Sequence, residues 1–245
     1  MSFMTAMRAL IYPPQCAICE ELILGDGGLC AACWGKTRFL TGLCCDICAM
    51  PLPGESVRPE LCDACLAAPP PWARGRAVFA YEGNGGRIVR AFKNGDRLDL
   101  APILAAWLLR AGADLMEDDP LLVPVPSHWT RLASRRFNQS ATLAAGIARA
   151  RGRRGAGPGF APRALLRPVR AARQRDASFA QRAVRLKDAF IPHPRHGGVM
   201  RGRRVVLVDD VLTSGSTLRA ASAACLEGGA GELCVLLLAR VTGET

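Results

Sequence analysis

VVLVDDVLTSGST, Val205 to Thr217, is the stretch on which the fold turns. Val205 to Val208 are four consecutive apolar β-formers, the pattern of a strand buried on both faces of a parallel sheet. A helical pattern starts at Thr217 and runs through Leu218, Ala221 and Cys225. Two carboxylates and a run of small hydroxylated residues therefore stand between a strand and a helix, where open α/β sheets bind their ligands. Asp209 and Asp210 offer neighbouring carboxylates to a pair of sugar hydroxyls, directly or through a divalent cation. Thr213, Ser214, Gly215, Ser216 and Thr217 offer backbone N–H groups at a helix start, which suit a phosphate. Singly, an acidic pair is an ordinary solvated turn and a Thr/Ser/Gly run an ordinary loop. Their order within one strand-loop-helix unit carries the reading.

That order resembles the phosphoribosyl pyrophosphate signature of type I phosphoribosyltransferases: four apolar residues, two acids, then a short Thr/Gly-rich phosphate loop. The resemblance implies a parallel sheet with helices on both faces. It also implies that Asp209 and Asp210 are the catalytic, ribose-binding acids working with Mg²⁺, and that Thr213 to Thr217 hold the 5-phosphate.

The chain has 245 residues, half of them apolar, enough for one substantial core and a small accessory module. No stretch reaches roughly 18 uncharged apolar residues, and Met1 to Ile11 has neither the apolar length nor the cleavage site of a secretory signal. The expectations are no membrane span, a cytoplasmic location and a short amphipathic helix over Met1 to Ile11. The formal charge is +11, which raises nucleic-acid binding as a use for the excess. Eight thiolates on two Zn²⁺ would lower it to about +7. Between Arg149 and Arg204 there are 16 Arg/Lys against only Asp176 and Asp188. This tract suits pyrophosphate, a phosphorylated substrate or nucleic acid, and equally a plain solvated surface. It lacks the regular aromatic interleaving of a base-stacking surface.

Of 11 cysteines, eight form four CxxC pairs: Cys16/Cys19, Cys30/Cys33, Cys45/Cys48 and Cys62/Cys65. A CxxC turn brings two thiolates onto one tetrahedral metal, and two turns close a structural Zn²⁺ site with no open ligand position. Chain-order pairing gives Cys16, Cys19, Cys30 and Cys33 for one zinc, and Cys45, Cys48, Cys62 and Cys65 for the other; interleaved pairing satisfies the same chemistry. Disulfides are the alternative for a small cysteine-dense segment, but they belong to exported chains. Cys44 is left over beside Cys45, while Cys225 and Cys234 fall on the last predicted helix and strand as core residues. The few apolar residues here, among them Leu22, Leu29, Trp34, Phe39 and Leu40, are expected to pack around the ribbons, with metal supplying much of the folding energy.

The run Ala67 to Pro71 has the stiff composition of a module boundary. The expected organisation is a lead and double zinc ribbon over 1–68, a linker over 69–75 and the α/β domain over 76–245. Within the last, Ala77 to Tyr81 reads as a strand, Gly85 to Phe92 as a helix start, Leu98 to Ala111 as a longer helix and Leu121 to Val125 as a strand. Alternating prolines in Val123 to Pro126 force a turn there, and Arg131 and Arg135 just beyond can meet an anion with a guanidinium fork. No histidine has the surroundings of a base or metal ligand, whether His128, His193 or His196.

Three features then coincide: the double zinc ribbon, VPVPSHWTRLASRRFNQSATLA from Val123, and VVLVDDVLTSGST. With FAYEGNGGRIVRAFKNGD (Phe79 to Asp96) and VLLLAR (Val235 to Arg240), the chain resembles the ComF family from about Cys16 to Arg240. Members combine such a zinc module with a phosphoribosyltransferase-like domain. The resemblance implies phosphoribosyl pyrophosphate as ligand, a pyrophosphate loop over Val123 to His128 in which Val125, Arg131 and Arg135 are contacts, and a mobile or substrate-facing part over Arg151 to Pro162 and Arg170 to Arg185. It further implies a role in DNA uptake, through a helicase-like partner or single-stranded DNA. The chain departs from the family at Arg136, where glycine is usual, and at Ser214, where threonine is. Gln174, Arg182 and Arg185 stand where Gln, Arg and Asn are common, so the acceptor is not specified.

Overall fold

The computed structural model describes residues 13–23, 28–93, 97–127, 137–152, 159–168 and 189–243. In chain order the strands are β1 (Arg74–Ala80), β2 (Leu121–Pro124), β3 (Gly159–Phe160), β4 (Leu165–Leu166), β5 (Ile191–Pro192), β6 (Arg204–Leu212) and β7 (Glu232–Arg240). The helices are α1 (Ala31–Gly35), α2 (Asp63–Ala67), α3 (Gly83–Lys93), α4 (Ala101–Ala111), α5 (Gln139–Gly152) and α6 (Ser216–Glu227). A five-stranded sheet runs β1-β7-β6-β2-β3 with every pairing parallel, and β4 and β5 form a separate antiparallel pair.

The apolar runs of β6 and β7 place these strands at the centre, because only a strand covered on both sides can bury every side chain. Val206 and Val208 join Leu122, Leu236 and Leu238 against Ile88, Phe92, Leu104, Leu143 and Ile147 of α3, α4 and α5. The alternate residues Val205 and Leu207 join Val123, Val235 and Leu237 against Leu218, Ala221 and Cys225 of α6. Each such Leu or Val contributes roughly 1.5–3 kcal/mol when fully buried. Helices therefore cover both faces, as the sequence predicts.

Around the acidic pair two boundaries differ from expectation. β6 does not stop at Val208: it continues through Asp209 and Asp210 to Leu212, because Asp209, Val211 and Leu212 pair with Leu237, Ala239 and Arg240 of β7. Aspartate is a poor strand former, yet a neighbouring strand of matching length overrides that preference. Gly215 caps α6 in the left-handed region (φ 79), and the helix begins at Ser216.

The cysteine-rich segment does not stand apart from this sheet. Leu29 and Phe39 pack on the α4 face and Leu40 on the α6 face. These residues serve the sheet rather than an internal ribbon core, and Leu22 and Trp34 stay 65% and 47% exposed. The chain from Arg38 to Leu40 runs antiparallel along β1, with Leu40 N donating to Val78 O (2.9 Å) and Ala80 N to Arg38 O (2.9 Å). An otherwise open sheet edge is thereby covered. Within 69–75, Trp72 is buried and Arg74 and Gly75 already belong to β1. No described helix is long and apolar enough to cross a membrane.

Candidate functional site

The two tetracysteine sites form first, from local turns. Cys16, Cys19, Cys30 and Cys33 gather in one place and Cys45, Cys48, Cys62 and Cys65 in another, with the four sulfurs of each set within 4.8 Å of one another. The pairing is the chain-order one. The Cys19 and Cys30 sulfurs lie 3.7 Å apart and those of Cys48 and Cys62 3.6 Å. A Zn²⁺ with Zn–S bonds of about 2.3 Å in tetrahedral geometry sets sulfurs ~3.8 Å apart, so the donor sets fit zinc. Disulfide sulfurs sit at about 2.0 Å, and all eight thiols are free. Burial pushes Cys33 up to about 12 and Cys48 up to about 11; at Cys16 burial is outweighed by backbone N–H groups of Cys19, Cys30 and Ile18, which bring it down to about 6. Four crowded thiols cannot all ionise without a cation between them, and zinc supplies it.

The region from Asp209 to Thr217 is placed by topology. After β2 the chain passes through α5 on one face, and after the neighbouring β6 through α6 on the other. The carboxyl ends of β2 and β6 thus flank a crevice at the point where the winding of the sheet reverses, the place for ligands in such sheets. Asp209, Asp210 and Thr213 to Thr217 stand on the β6 side, with Val125 to Ser127 on the β2 side.

Both acids are held. Asp209 Oδ1 accepts from Ser140 Oγ (2.9 Å) and from Asp210 N (2.9 Å). Asp210 Oδ1 is 3.1 Å from Lys93 Nζ at the end of α3. Burial first, and then the adjacent Asp210, push the Asp209 carboxyl up to about 7 against those hydrogen bonds and Lys93. In the loop, Ser214 Oγ lies 3.3 Å from Ser216 Oγ, and α6 has no side-chain cap. The first turn of α6 thus has no side-chain acceptor from its N-cap residue. Arg240 holds the loop from behind, its Nη1 donating to Leu212 O (3.1 Å) and Thr213 O (3.1 Å).

On the β2 side, Val125 has both backbone groups engaged, its N–H to Val208 O (3.0 Å) and its carbonyl from Asn138 Nδ2 (3.2 Å), with its side chain in the core. What it contributes is the path of the chain. Asn138 Oδ1 in turn accepts from Ser140 N (3.1 Å) and Ser127 Oγ (3.2 Å), capping α5. Arg131, Arg135, Arg136 and His128 lie outside the described residues, as do Met1 to Ile11, Gln174, Arg182 and Arg185. His193 Nδ1 accepts from Arg195 N (3.0 Å) and His196 N (3.2 Å), which makes it part of a turn.

Lys93 and Ser140 were not legible as site residues. Both lie in quoted segments, AFKNGD and FNQS, and a cation closing a helix or a serine inside one is ordinary. Only the meeting of α3, α5 and β6 gives them a partner.

Comparison with known proteins bears on the cysteine-rich module and on the family of the whole chain. Residues 7–66 match the Double zinc ribbon domain family. The DNA utilization protein YhgH of Salmonella typhimurium (strain LT2) is 32% identical over 240 residues, covering 94% of this chain and 99% of that one. Its counterpart in Escherichia coli K12 is 31% identical over 238 residues, with the same coverage. The chain belongs to the ComF family. Among solved structures, an allosteric regulatory enzyme of purine biosynthesis overlaps 61% of this chain at 24% identity and a TM-score of 0.38, and the match spans 26% of that enzyme. For a ComF chain, the double zinc ribbon and the parallel α/β sheet described above are the expected pair of modules.

Proposed function

We propose that the crevice between β2 and β6 binds phosphoribosyl pyrophosphate with Mg²⁺ and transfers its phosphoribosyl group to an acceptor. The observation that carries this reading is one juxtaposition: an enclosed pair of carboxylates beside a helix start that has no side-chain cap, at the carboxyl ends of parallel strands. Asp209 and Asp210 accept the ribose hydroxyls, and the N–H groups and hydroxyls of Thr213 to Thr217 take the 5-phosphate. The donor set fits Mg²⁺, which is held by one or two carboxylates together with substrate phosphates. When bound, the ion neutralises charge on the pyrophosphate oxygens.

Transfer breaks the bond from C1 to the pyrophosphate oxygen, which leaves with the electron pair, and forms a bond from C1 to the acceptor nucleophile. The protein's task is placement and charge stabilisation around an oxocarbenium-like state. Ser140 orients Asp209, and Lys93 balances the charge of Asp210.

Calorimetry with phosphoribosyl pyrophosphate, with and without Mg²⁺, tests the clasp. Charge-assisted bonds contribute roughly 1.5–3 kcal/mol each, so a chain with Asp209→Asn and Asp210→Asn binds at least about tenfold more weakly. Unchanged binding by that variant, or none by the folded wild type, refutes the assignment.

A second reading has its own support. The relatives are named DNA utilization proteins, and the Arg149 to Arg204 tract is strongly basic. In that reading the clasp binds its ligand without turnover, in a component of DNA uptake that meets a helicase-like partner or single-stranded DNA. Release of pyrophosphate in the presence of candidate acceptors favours the enzyme. Salt-sensitive binding of single-stranded DNA without pyrophosphate release favours the binding protein.

A further inference from the structure

Trp72 lies between the second tetracysteine site and the loop Thr213 to Thr217, bonded to the first and sharing a buried cluster with the residues that flank the second. Its indole N–H donates to Ile47 O (2.8 Å), inside the Cys45 to Cys48 turn, and the residue is only 5% exposed. On the other side its Cη2 is 3.7 Å from where a Cβ on Gly215 would stand. A side chain at Gly215, the residue whose left-handed backbone (φ 79) starts α6, would thus meet the indole edge. Arg219, whose N–H bonds Gly215 O (2.8 Å), sets its guanidinium 6.0 Å from the Trp72 ring centroid. The same guanidinium donates to Ala68 O (3.2 Å), three residues beyond Cys65. Leu212 and Leu218, which flank the loop, share one buried cluster with Trp72, Cys45, Cys48 and Cys65.

We propose that Trp72 is a positioning residue for the phosphate loop, and that through it the zinc at Cys45, Cys48, Cys62 and Cys65 and the ligand on the loop strengthen each other's binding. The proposal rests on the phosphate-loop reading above. With zinc in place the Cys45 to Cys48 turn is fixed, Ile47 O holds the indole, and the indole sets the height of Gly215 and with it the direction of the first N–H groups of α6. Without it the turn can move, and the loop loses its floor. Thermodynamic linkage makes the effect reciprocal, so ligand must hold this zinc more tightly by the same factor. The first site provides an internal control, since its neighbours are Asn84, which donates to Cys33 O (3.1 Å), and the aromatic rings around Trp107 on the opposite face.

The experiment is zinc release to a chromogenic chelator from the full chain, with and without saturating phosphoribosyl pyrophosphate and Mg²⁺, beside calorimetry of the same ligand. In the wild type one of the two zinc equivalents is expected to leave about fivefold to tenfold more slowly with ligand, the other at an unchanged rate. A Cys19→Ser chain, which keeps the second site alone, assigns the protected phase. Trp72→Phe keeps an aromatic plate but loses the bond to Ile47 O; it is expected to retain both zincs, bind ligand about fivefold to tenfold more weakly and lose the selective protection. If wild type binds ligand while both zincs leave unchanged, or both are slowed alike, the coupling is wrong and the clasp stands. Undiminished affinity in Trp72→Phe also overturns it. If wild type binds no ligand, the clasp reading fails and the coupling with it. Should Trp72→Phe not fold, the release rates of the wild type decide.

Discussion

At the first tetracysteine site Cys16 and Cys33 are buried, Cys30 half-buried and Cys19 exposed, while at the second Cys45, Cys48 and Cys65 are buried and Cys62 half-buried. The ligand turns of the first meet the α/β domain through side chains, Asn84 on Cys33 O and the rings of Trp34 and Phe39 against Phe79 and Trp107, and its backbone joins β1 only beyond those turns, at Arg38 to Leu40. The second is joined through backbone. Gly75 N donates to Asp46 O (2.8 Å), and any Cβ on Gly75 would collide with Ile47 O, so glycine alone allows this approach. Arg76 Nη2 then reaches Asp46 (2.6 Å) and Asp114 (2.8 Å) together. Identical ligand sets thus do different mechanical work. One site is an attachment to the sheet, the other part of its core.

Losing each metal should break this comparison most visibly. Structural zinc sites supply about 10 kcal/mol or more of folding free energy in small domains, comparable to the whole stability of an ordinary domain. Cys48→Ser should therefore abolish the cooperative thermal transition of the sheet, followed by far-ultraviolet circular dichroism. Cys19→Ser should halve the zinc content and lower that transition by only a few degrees. Equal losses from the two variants would show that the sites carry equal loads.

The ties themselves give a smaller contrast. Arg76→Met leaves Asp46 without its cation and Asp114 with Arg74 alone (3.4 Å), an effect of about 1–2 kcal/mol for part-buried groups that solvent screens. Asn84→Ala removes one neutral hydrogen bond, about 1 kcal/mol. Urea unfolding of both variants measures the difference directly. Equal destabilisation would mean that the two ribbons are held alike.

What could be read from sequence divides along similar lines. The CxxC turns and the acid-to-glycine loop were legible because their chemistry lies within a few consecutive residues. The end of β6 was misplaced because pairing with β7, rather than local preference, carries the strand to Leu212. Ser140 and Asp209 are 69 residues apart in sequence, and Arg219 and Ala68 are 151 apart, so neither contact leaves a local trace. Trp72 follows three prolines and reads as linker; only its bond to Ile47 O and the loop above it give it a place in the site.

The last expected effect, that of Trp72 on the acids, is none, and it marks where the influence of the second ribbon ends. Asp209 is held by Ser140 of α5 and by the Asp210 backbone, with no direct bond to either tetracysteine site, and its carboxyl is raised from an ordinary 3.8 to about 7, by burial first and then by Asp210. A carboxyl with a raised folded-state pKa binds an extra proton in the folded chain between those two values. Its contribution therefore destabilises the fold progressively as pH rises from about 4 to about 7, and is constant above that. Ligand-free wild type should lose stability across this window relative to Asp209→Asn, whose neutral amide cannot titrate. Melting temperatures at pH 5 and pH 8 read the effect as a few degrees of difference between the two chains, larger at pH 8. Repeating the pair in the Trp72→Phe background should leave that difference unchanged, because the indole floor lies under Gly215 and not under the acids. If the pH dependence vanished with Trp72, the second ribbon would reach the carboxylates as well as the loop, and the division drawn between them would fail.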